Sequence, residues 1–480
     1  MSFELSPEMN RDKVFLVGCS ELEGRLDPMM AFYQRKIAKF KHKAKSFSDL
    51  LMFKPQYGAS EAGIDRQSHH EPRYIRITDI DEYGLLKDGI GKTARVISHK
   101  YYLNNNDLLF ARSGATVGKS YIHKEKEVGY PCFYAGYMIR FVIDERKVDP
   151  NYVFAYTQLS TYRDWIFAIQ RAAGQPNINA AEYKALKIPV PPEEIQFQIA
   201  AKMDLAYASK KQKEAEAQRL LDSIDNYLLE ELGIELPEEE ENTVESRIFI
   251  RRLSEISGGR FDPEYYKDHY RSLEECISQS TYEARRLVDV TYAIYSGNTP
   301  SSGDYAESET TYPIIKVSSY EGDFISPNKL AFTLSVKGKQ ANQFDIFVLS
   351  TAHQAEYVGR SLKFLDYEPI KNTSFVGELL CIRANKKICN SMYLFSVLKM
   401  HLFGKLLNRE KTGQTSHIYS QDIKHISVPF PTFEKQTKIA NHITQIRNRA
   451  KQLQQEAKAG LERTKREVEA MILDEEATKA

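Results

Sequence analysis

The feature that most constrains this chain is a long internal repeat. Gly24-Arg25-Leu26-Asp27-Pro28 recurs as Gly259-Arg260-Phe261-Asp262-Pro263, and Ile188-Pro189-Val190-Pro191 recurs as Val428-Pro429-Phe430-Pro431. The offset between matching segments stays between 235 and 241 residues. That spacing is several times longer than the repeat of a solenoid protein. The pattern therefore predicts one module written twice, each copy being a lobe followed by a helix.

The segments after the two proline-rich stops have the pattern of long helices. Residues 193–232 contain neither proline nor glycine. The second copy places apolar residues alternately four and three positions apart, at Ile439, Ile443, Ile446, Ala450, Leu453 and Ala457. The first copy keeps this heptad pattern but has Lys210 and Lys213 on the seam. Each helix would be about 60 Å long. The pattern favours an antiparallel coiled coil between them over two separate amphipathic helices.

The lobes alternate short apolar runs with turn residues, which is typical of mixed α and β structure. The predicted strands are Tyr74–Ile77, Asp107–Ala111 and Tyr137–Ile143 in the first lobe, and Pro313–Val317, Phe344–Ser350 and Phe375–Arg383 in the second. Residues 152–171 and 392–409 are predicted to be helices, as is the basic segment Arg35–Lys45. The predicted fold class is α+β, with two mixed α/β domains in tandem, each followed by a long α-helix.

The net charge of +1 conceals an uneven distribution of charged residues. Residues 24–190 contain 26 Lys and Arg against 17 Asp and Glu, whereas residues 191–242 contain 5 against 14. A basic lobe favours a nucleic-acid partner, although a solvated surface without a partner would give the same count. The acidic run Glu238–Glu241 follows Pro237 and is predicted to be a solvated linker.

No catalytic motif stands out in the sequence. Gly114 to Ser120 resembles a phosphate-binding loop but has three residues between its glycines instead of four, and Tyr121-Ile122 is predicted to be a returning strand. The motifs of amino-methyltransferases, zinc proteases and serine hydrolases are also missing. Five scattered cysteines without a Cys-x-x-Cys pair argue against a disulfide framework or a zinc site and favour the cytoplasm. No apolar run is long enough to cross a membrane.

Three features of the repeated module resemble the specificity subunit of Type I restriction–modification enzymes. They are the lobe-plus-helix order written twice, the segment from Gly174-Gln175 through the prolines to Ala200, and the strand and turn from Asp107 to Lys119. The second copy departs from this pattern at Leu349–His353, where the Arg-Ser-Gly turn is replaced. The resemblance covers nearly the whole chain after about the first twenty residues. It implies a non-catalytic, cytoplasmic subunit that reads a split, asymmetric DNA site with two target-recognition domains.

The resemblance also implies partners, cofactors and domain boundaries. Such subunits bind double-stranded DNA and two methyltransferase subunits, and restriction or translocase subunits join through the complex. S-adenosylmethionine, ATP and Mg²⁺ are expected in those partner subunits, and no cofactor or metal is expected in this chain. The predicted divisions are an N-terminal segment (1–23), a first target-recognition domain (24–191), a spacer helix with its linker (192–236), a second target-recognition domain (237–431) and a second spacer helix (432–480).

The candidates for DNA contact are loop residues whose side chains can read base edges or hold phosphates. Arginine favours guanine, and asparagine or glutamine favours adenine. The candidates are Arg66, His69, Arg73, Arg112, Lys119 and Gln175 in the first lobe, and Asn298, Ser301, His353, Gln354, Arg360 and Gln414 in the second. For each of them, simple solvation is the alternative.

Two other classes of function stay open at this point. The first is a free-standing DNA methyltransferase or nuclease with unrecognised motifs. The second is a helical scaffold protein without a DNA role.

Overall fold

The structure is a computed structural model of the 480-residue chain. It describes residues 5–6, 9, 14–18, 28–170, 176–238, 243, 248–253, 256, 260–413 and 416–473. Two compact units are present: residues Met1–Glu214 with Gln454–Ala480, and residues Ala215–Leu453. Gly24–Asp27, Gly259 and the acidic residues Glu239–Glu241 lie outside the described residues. In the part of the chain that is described, no helix combines the length and apolar character needed to cross a membrane.

The first unit contains the first lobe. Its helices and strands are, in chain order, α1 (Pro28–Ile37), β1 (Ala44–Ser46), β2 (Gln56–Tyr57), β3 (Ile64–Asp65), β4 (Arg73–Ile75), β5 (Lys92–Thr93), β6 (Leu108–Ala111), β7 (Ser120–Ile122), α2 (Glu125–Val128), β8 (Cys132–Tyr134), β9 (Met138–Phe141), α3 (Pro150–Tyr156), α4 (Ser160–Ile169), α5 (Ala180–Ala185), β10 (Lys187–Pro189) and the beginning of α6 (Glu193–Leu232).

A four-stranded antiparallel sheet of order β2-β9-β6-β7 organises this lobe. All four residues of strand β6 are buried. Since alternate side chains of a strand point in opposite directions, the strand is covered on both faces. Leu108 and Phe110 pack with side chains of α3, α4 and α5. Leu109 packs on the other side, with the parallel pair β4 and β8. The lobe is therefore a sheet with helices on one face and a small second sheet on the other.

The second unit repeats this plan with a larger sheet. Its helices and strands are, in chain order, α7 (Asp268–Ser278), β11 (Ala284–Arg286), α8 (Leu287–Val290), β12 (Thr291–Ser296), β13 (Pro313–Ile315), β14 (Tyr320–Glu321), β15 (Phe324–Ile325), β16 (Ala331–Phe332), β17 (Ile346–Leu349), β18 (Leu362–Phe364), β19 (Ser374–Phe375), β20 (Leu379–Ala384), α9 (Ser391–Lys399), α10 (His401–Arg409), β21 (Ser427–Pro429) and the beginning of α11 (Phe433–Ile472).

The central strand of the second lobe, β17, is likewise buried on both faces. The sheet order is β12-β20-β17-β18-β15-β14, and β17 lies between β20 and β18. Ile346 and Val348 pack with side chains of α9 and α10. Phe347 and Leu349 pack with the sheet that contains β13 and β19. The predicted α+β fold class is confirmed.

The sequence repeat also reappears as repeated polar contacts. Buried Asp107 pairs with Arg140 at 2.8 Å in the first lobe, and buried Asp345 pairs with Arg383 at 2.7 Å in the second. Gln196 at the start of α6 accepts the Asp149 N–H at 2.8 Å, and Gln436 at the start of α11 accepts the Asn390 N–H at 2.8 Å. Both glutamine side chains also donate to a proline carbonyl five residues earlier. These contacts explain why the proline-rich start of each helix is written twice.

Helices α6 and α11 are each 40 residues long and run antiparallel to one another. In the first unit, Lys202 pairs with Glu467 and Lys213 with Glu456. In the second unit, Tyr227 lies 4.4 Å from His442 between ring centroids, and Glu231 pairs with Lys435. The partner number falls as the α6 number rises, so the predicted antiparallel pair is confirmed.

The two seam lysines are accommodated by specific partners. The Lys210 ammonium lies 4.1 Å from the centre of the Tyr83 ring and 2.6 Å from Glu214. Lys213 lies 2.9 Å from Glu456 of α11. A lysine can bury its aliphatic stem while its ammonium finds a carboxylate or an aromatic face. The heptad pattern therefore survives both interruptions.

Two predicted helices are each divided in the structure. The predicted helix 152–171 is α3 and α4, and the predicted helix 392–409 is α9 and α10, which Met400 separates in an extended conformation. The new helix starts are stabilised by carboxylates of the long helices. Glu469 of α11 accepts the Thr161 N–H at 2.7 Å, and Asp225 of α6 accepts the His401 N–H at 2.9 Å. A carboxylate at a helix N-terminus satisfies a free N–H group and suits the helix dipole.

The prediction of a helix over Arg35–Lys45 is wrong beyond Ile37. Helix α1 ends at that residue, and Ala44–Ser46 form β1, which pairs antiparallel with Lys187–Pro189 of β10. The backbone pairing with β10 outweighs the helical preference of the basic residues. Lys36 also forms an ion pair within the unit, since its ammonium lies 2.7 Å from the Asp164 carboxylate.

Candidate nucleic-acid interface

Each lobe brings four segments of the chain together at one edge of its sheet. In the first lobe, Gly58 N–H donates to Met138 O at 3.2 Å, Arg112 N–H to Tyr137 O at 3.0 Å, and Ile178 N–H to Arg112 O at 2.8 Å. We call the surface formed by Tyr57, Gly58, Arg112 and Tyr137 the first loop edge. It joins the segments after β2, after β6 and before β9.

The second lobe has the same backbone arrangement. Gly297 N–H donates to Leu379 O at 3.2 Å, Ser350 N–H to Glu378 O at 2.9 Å, and Ile418 N–H to Ser350 O at 2.9 Å. We call the surface formed by Ser296, Gly297, Ser350 and Glu378 the second loop edge. Arg112 and Ser350 are thus equivalent positions, and so are Tyr137 and Glu378.

A glycine allows the backbones to approach closely at both edges. A Cβ atom on Gly58 would lie 2.3 Å from Ala135 O, and one on Gly297 would lie 2.2 Å from Phe375 O. Both distances are far inside van der Waals contact, so a side chain would push the segments apart. The loop edges therefore depend on these two glycines.

The first loop edge presents a cation beside an aromatic ring. The Arg112 guanidinium lies 5.0 Å from the centre of the Tyr57 ring. Tyr57 is 40% exposed and Tyr137 is 68% exposed. Among the residues that the structure describes, no carboxylate pairs with Arg112, and its Nε is buried without a hydrogen-bond acceptor. Arg112 is partly exposed, and an arginine without an ion-pair partner can bind a phosphate or a guanine edge.

The second loop edge presents a carboxylate, Glu378, at the position that Tyr137 occupies in the first. Ser350 is fully buried, and its hydroxyl donates to Glu378 O at 3.0 Å. The Glu378 carboxylate is half-buried and accepts from the Thr299 hydroxyl at 2.8 Å. No basic side chain of the described ranges forms an ion pair with Glu378. The two lobes therefore carry opposite charges on one shared backbone framework.

Four predicted contact residues lie on or beside these edges. Arg112 belongs to the first edge. Asn298, directly after Gly297, is exposed, and so are His353 and Gln354 in the segment that follows Ser350. Nothing in the structure tests whether they touch DNA, so each stays a prediction.

Ser301 also lies near the second edge but has a structural task. Its hydroxyl donates to Asp304 at 2.9 Å, and Asp304 pairs with Lys337 at 2.7 Å. Gln175 and Gln414 lie outside the described residues. DNA contact by these three residues likewise stays a prediction.

Arg66, His69 and Arg73 gather around one ring away from the loop edge. The Arg66 guanidinium lies 4.1 Å from the Tyr130 ring centre, the His69 ring lies 5.7 Å from it, and Arg73 donates to the Tyr130 hydroxyl at 2.9 Å. Arg66 and Arg73 are 2% and 3% exposed. Their guanidinium groups donate to backbone carbonyl groups of the same lobe. The contacts support a structural role for both arginines, whereas His69 is exposed.

Lys119 and Arg360 occupy equivalent turns but differ in exposure. They follow Gly118 and Gly359, whose N–H groups donate to Ala111 O and Leu349 O. The Lys119 ammonium donates to Ile80 O at 3.0 Å, and burial lowers its pKa. Arg360 is exposed. The lysine is thus held against its own lobe.

The phosphate-loop resemblance around Gly114 is not supported by the geometry. Residues Ser120–Ile122 form β7, which returns antiparallel to β6 as predicted. A Cβ on Gly118 would lie 2.6 Å from Ile166 Cδ1, so the turn packs against α4 and leaves no open cradle. Within the described residues, no three His, Cys, Asp or Glu side chains are placed to hold a metal ion.

Sequence reasoning missed Tyr57, Tyr137, Thr299 and Glu378. A signal for two of them existed. Gly136-Tyr137 and Gly377-Glu378 stand at the same offset as Gly118 and Gly359, directly before equivalent strands. Comparing the residue after each glycine would have shown the change from tyrosine to glutamate.

A family model described as the Type I restriction modification DNA specificity domain matches residues 73–219 and 279–463. These two segments make up more than half of the chain and fall in the two copies of the repeat. The chain therefore belongs to the family of Type I restriction–modification DNA specificity domains, and the resemblance inferred from the repeat is confirmed.

A curated relative carries a matching name. It is the type I restriction enzyme MjaX specificity subunit of Methanocaldococcus jannaschii, which is 23% identical over 192 residues. The match covers 38% of this chain and 44% of the relative, so it spans less than half of that protein's length.

Solved structures of similar length also match over most of their chains. One comes from a study of complex assembly and conformational transition of the type I R-M system, with 14% identity, 89% of this chain and 95% of that chain covered, and a TM-score of 0.49. The HsdS subunit from Thermoanaerobacter tengcongensis has 15% identity, 89% and 94% coverage, and a TM-score of 0.34. The S subunit from M. genitalium has 13% identity, 91% and 97% coverage, and a TM-score of 0.44. The family assignment rests on the sequence match and not on these scores.

Proposed function

We propose that this chain is the sequence-specific DNA-binding specificity subunit of a Type I restriction–modification complex. It reads a split, asymmetric DNA site, one half with each lobe. The observation that carries this proposal is the loop edge, which is built twice with the same backbone hydrogen bonds and different side chains. Two loop edges with the same backbone and different side chains can each recognise a different base sequence, as an asymmetric, two-part DNA site requires.

The chemistry of the loop edges suits base readout in a DNA groove. Phosphate contacts position a protein on the duplex, whereas hydrogen bonds to base edges give specificity. Arg112 can serve either purpose, while exposed Asn298 and His353 offer donors and acceptors in the second lobe. The basic composition of residues 24–190 adds an attraction to phosphates that does not depend on sequence.

In this proposal the chain itself catalyses no reaction. Methyl transfer from S-adenosylmethionine belongs to two methyltransferase subunits, and ATP- and Mg²⁺-dependent translocation and cleavage belong to restriction subunits. Helix α6 offers a surface for partners, because Phe197 and Leu205 are 69% and 71% exposed on it and acidic residues flank them. Exposed apolar side chains beside polar ones are common at protein interfaces. The complex would work in the cytoplasm.

Co-expression with the methyltransferase subunits tests this proposal. The purified chain alone, incubated with DNA and labelled S-adenosylmethionine, should transfer no methyl groups, and the assembled complex should methylate DNA at a split motif. Native mass spectrometry should show two methyltransferase subunits per chain. Methyl transfer by the rigorously purified chain would overturn the non-catalytic role. A complex that never exceeds one methyltransferase subunit would overturn the proposed stoichiometry.

A further inference from the structure

The equivalence of Tyr137 and Glu378 has a consequence for which bases each lobe selects. The backbone carbonyl of the residue at this position accepts a hydrogen bond. The donor is Arg112 N–H in the first lobe and Ser350 N–H in the second. The side chain at this position is 68% exposed in Tyr137 and partly exposed in Glu378. In the first lobe that neighbourhood holds the cation Arg112, and in the second it holds the anion Glu378.

The Glu378 carboxylate is held in place yet keeps acceptor capacity. The Thr299 hydroxyl donates to Oε2 at 2.8 Å. No described side chain donates a hydrogen bond to Oε1. Gly377 N–H donates to the same Thr299 oxygen at 3.0 Å, which fixes the threonine in turn. The result is a single oriented acceptor on an otherwise uncharged edge.

A carboxylate on a DNA-reading surface has a narrow use. It repels phosphates and the acceptor-rich major-groove edge of guanine, whereas it can accept a hydrogen bond from the N4 amino group of cytosine. Adenine also has an amino group, but its N7 acceptor lies beside it and would oppose a second carboxylate oxygen. Arginine has the opposite preference, since its donors match the O6 and N7 acceptors of guanine.

We infer that Glu378 is a specificity-determining residue that accepts a hydrogen bond from the amino group of a cytosine in the half-site of the second lobe. Arg112 makes the opposite selection, a guanine, in the half-site of the first lobe. This inference rests on the proposed function, because it names the bases that the two loop edges read.

The test uses the complex of the full chain with its methyltransferase subunits. The wild-type motif is first read from the methylated DNA. Competition binding then uses duplexes in which each recognised base pair is replaced in turn. Replacing the cytosine in the second half-site should weaken wild-type binding about tenfold or more. Glu378→Gln should shift the preference at that position toward adenine, because an amide offers one donor and one acceptor, and Glu378→Ala should abolish it.

The other half-site supplies an internal control in each variant. Glu378→Gln should leave the base preference at every position of the first half-site unchanged. Arg112→Gln should change the base preference only at the guanine position of that half-site. Glu309→Gln removes an exposed negative charge from the same lobe and should alter no preference. If Glu378 variants fail to assemble, Thr299→Val keeps the carboxylate but removes its donor, and it should reduce discrimination at the same base pair.

The outcomes separate this inference from the function it rests on. A folded Glu378→Gln complex with wild-type preference at every position would overturn the inference and leave the specificity-subunit role intact. A Thr299→Val complex with undiminished discrimination would count against it in the same way. A wild-type complex that binds all duplexes equally would instead overturn the proposed function.

Discussion

Removing the Glu469 carboxylate should loosen the first unit, although this residue lies in the last turn of α11, more than 250 residues after the first lobe in the sequence. The carboxylate accepts hydrogen bonds from the Thr161 N–H at 2.7 Å, the Thr161 hydroxyl at 2.5 Å and the Ser160 hydroxyl at 2.7 Å. Lys36 lies 3.5 Å from it, and the side chain is 16% exposed. Glu469→Gln keeps one oxygen for Thr161, but it replaces the second acceptor of Ser160 with an amide donor and removes the charge that faces Lys36.

The expected loss follows from the number and burial of these contacts. A hydrogen bond to a charged group contributes about 1.5–3 kcal/mol, and bonds that share one carboxylate are not additive. We therefore expect Glu469→Gln to destabilise the first unit by about 1–3 kcal/mol, which lowers its melting temperature by roughly 2–12 °C for a unit of this size. Hydrogen exchange of α4 should rise as well, because a neutral amide caps the helix start more weakly than a carboxylate.

The effect should also depend on pH in one direction. Burial would raise the pKa of Glu469, but hydrogen bonds from Thr161 and Ser160 and the charge of Lys36 outweigh it and hold the pKa below 4.5. A carboxyl with a lowered pKa stabilises the fold above its unfolded value and loses that contribution as the pH falls through its folded value. The difference between wild type and Glu469→Gln should thus be full above about pH 4.5 and shrink below it.

Glu467→Gln is the matched control, two residues away on the same helix. Its carboxylate pairs with Lys202 at 3.4 Å, with both side chains about half exposed. Exposed pairs of this kind contribute about 0–1 kcal/mol. Thermal unfolding and hydrogen exchange of both variants give the comparison. If Glu469→Gln proved no more destabilising than Glu467→Gln, the capping argument would be refuted.

Three further perturbations follow from the structure. Gly297→Ala should destabilise the second unit by about 1–3 kcal/mol in thermal unfolding, whereas Gly303→Ala, which meets nothing within 4 Å, should have little effect. Asp107→Asn should cost about 3 kcal/mol because it leaves Arg140 as a largely buried, unpaired charge, and equal stability in denaturant titrations would contradict this. Inserting one heptad after Ala217, with a matching heptad at the facing position of α11, adds about 10 Å of helix. The unread gap of the methylated motif should then widen by up to about three base pairs, while an active variant with the original gap would show that the helices do not set the spacing.

The long helices could be predicted closely because their ends are marked by local chemistry. Prolines precede Glu193 and Phe433, and Gly233 adopts the left-handed conformation directly after Leu232. Such stop signals are encoded within a few residues. The division between α9 and α10 has no such mark, because the group that caps His401 is Asp225, far away in the chain. A break stabilised by tertiary contact is invisible to a local pattern.

The candidate site was harder to predict, because residue type alone does not show what a side chain already contacts. Arg66 and Arg73 stand in a polar stretch that resembles a DNA-contacting loop, but their donors are used by carbonyl groups within the lobe. Glu378 is one of 65 Asp and Glu residues in the chain, and residue type alone does not single it out. The glycine offset in the sequence aligns it with Tyr137, and the backbone hydrogen bonds to Arg112 and Ser350 place both residues at the same position of the loop edge.

An exchange of one lobe tests whether the two lobes read DNA independently of each other. Residues 24–190 would be replaced by the equivalent lobe of another family member, with Lys36, Ser160 and Thr161 retained so that the contacts to Glu469 survive. The methylated motif would then be sequenced in cells that carry the methyltransferase subunits with wild-type chain, exchanged chain or neither. We expect one half-site to change, the other to persist, and the whole motif to vanish without the chain. A motif whose two halves change together, or that remains when the chain is absent, would contradict the account.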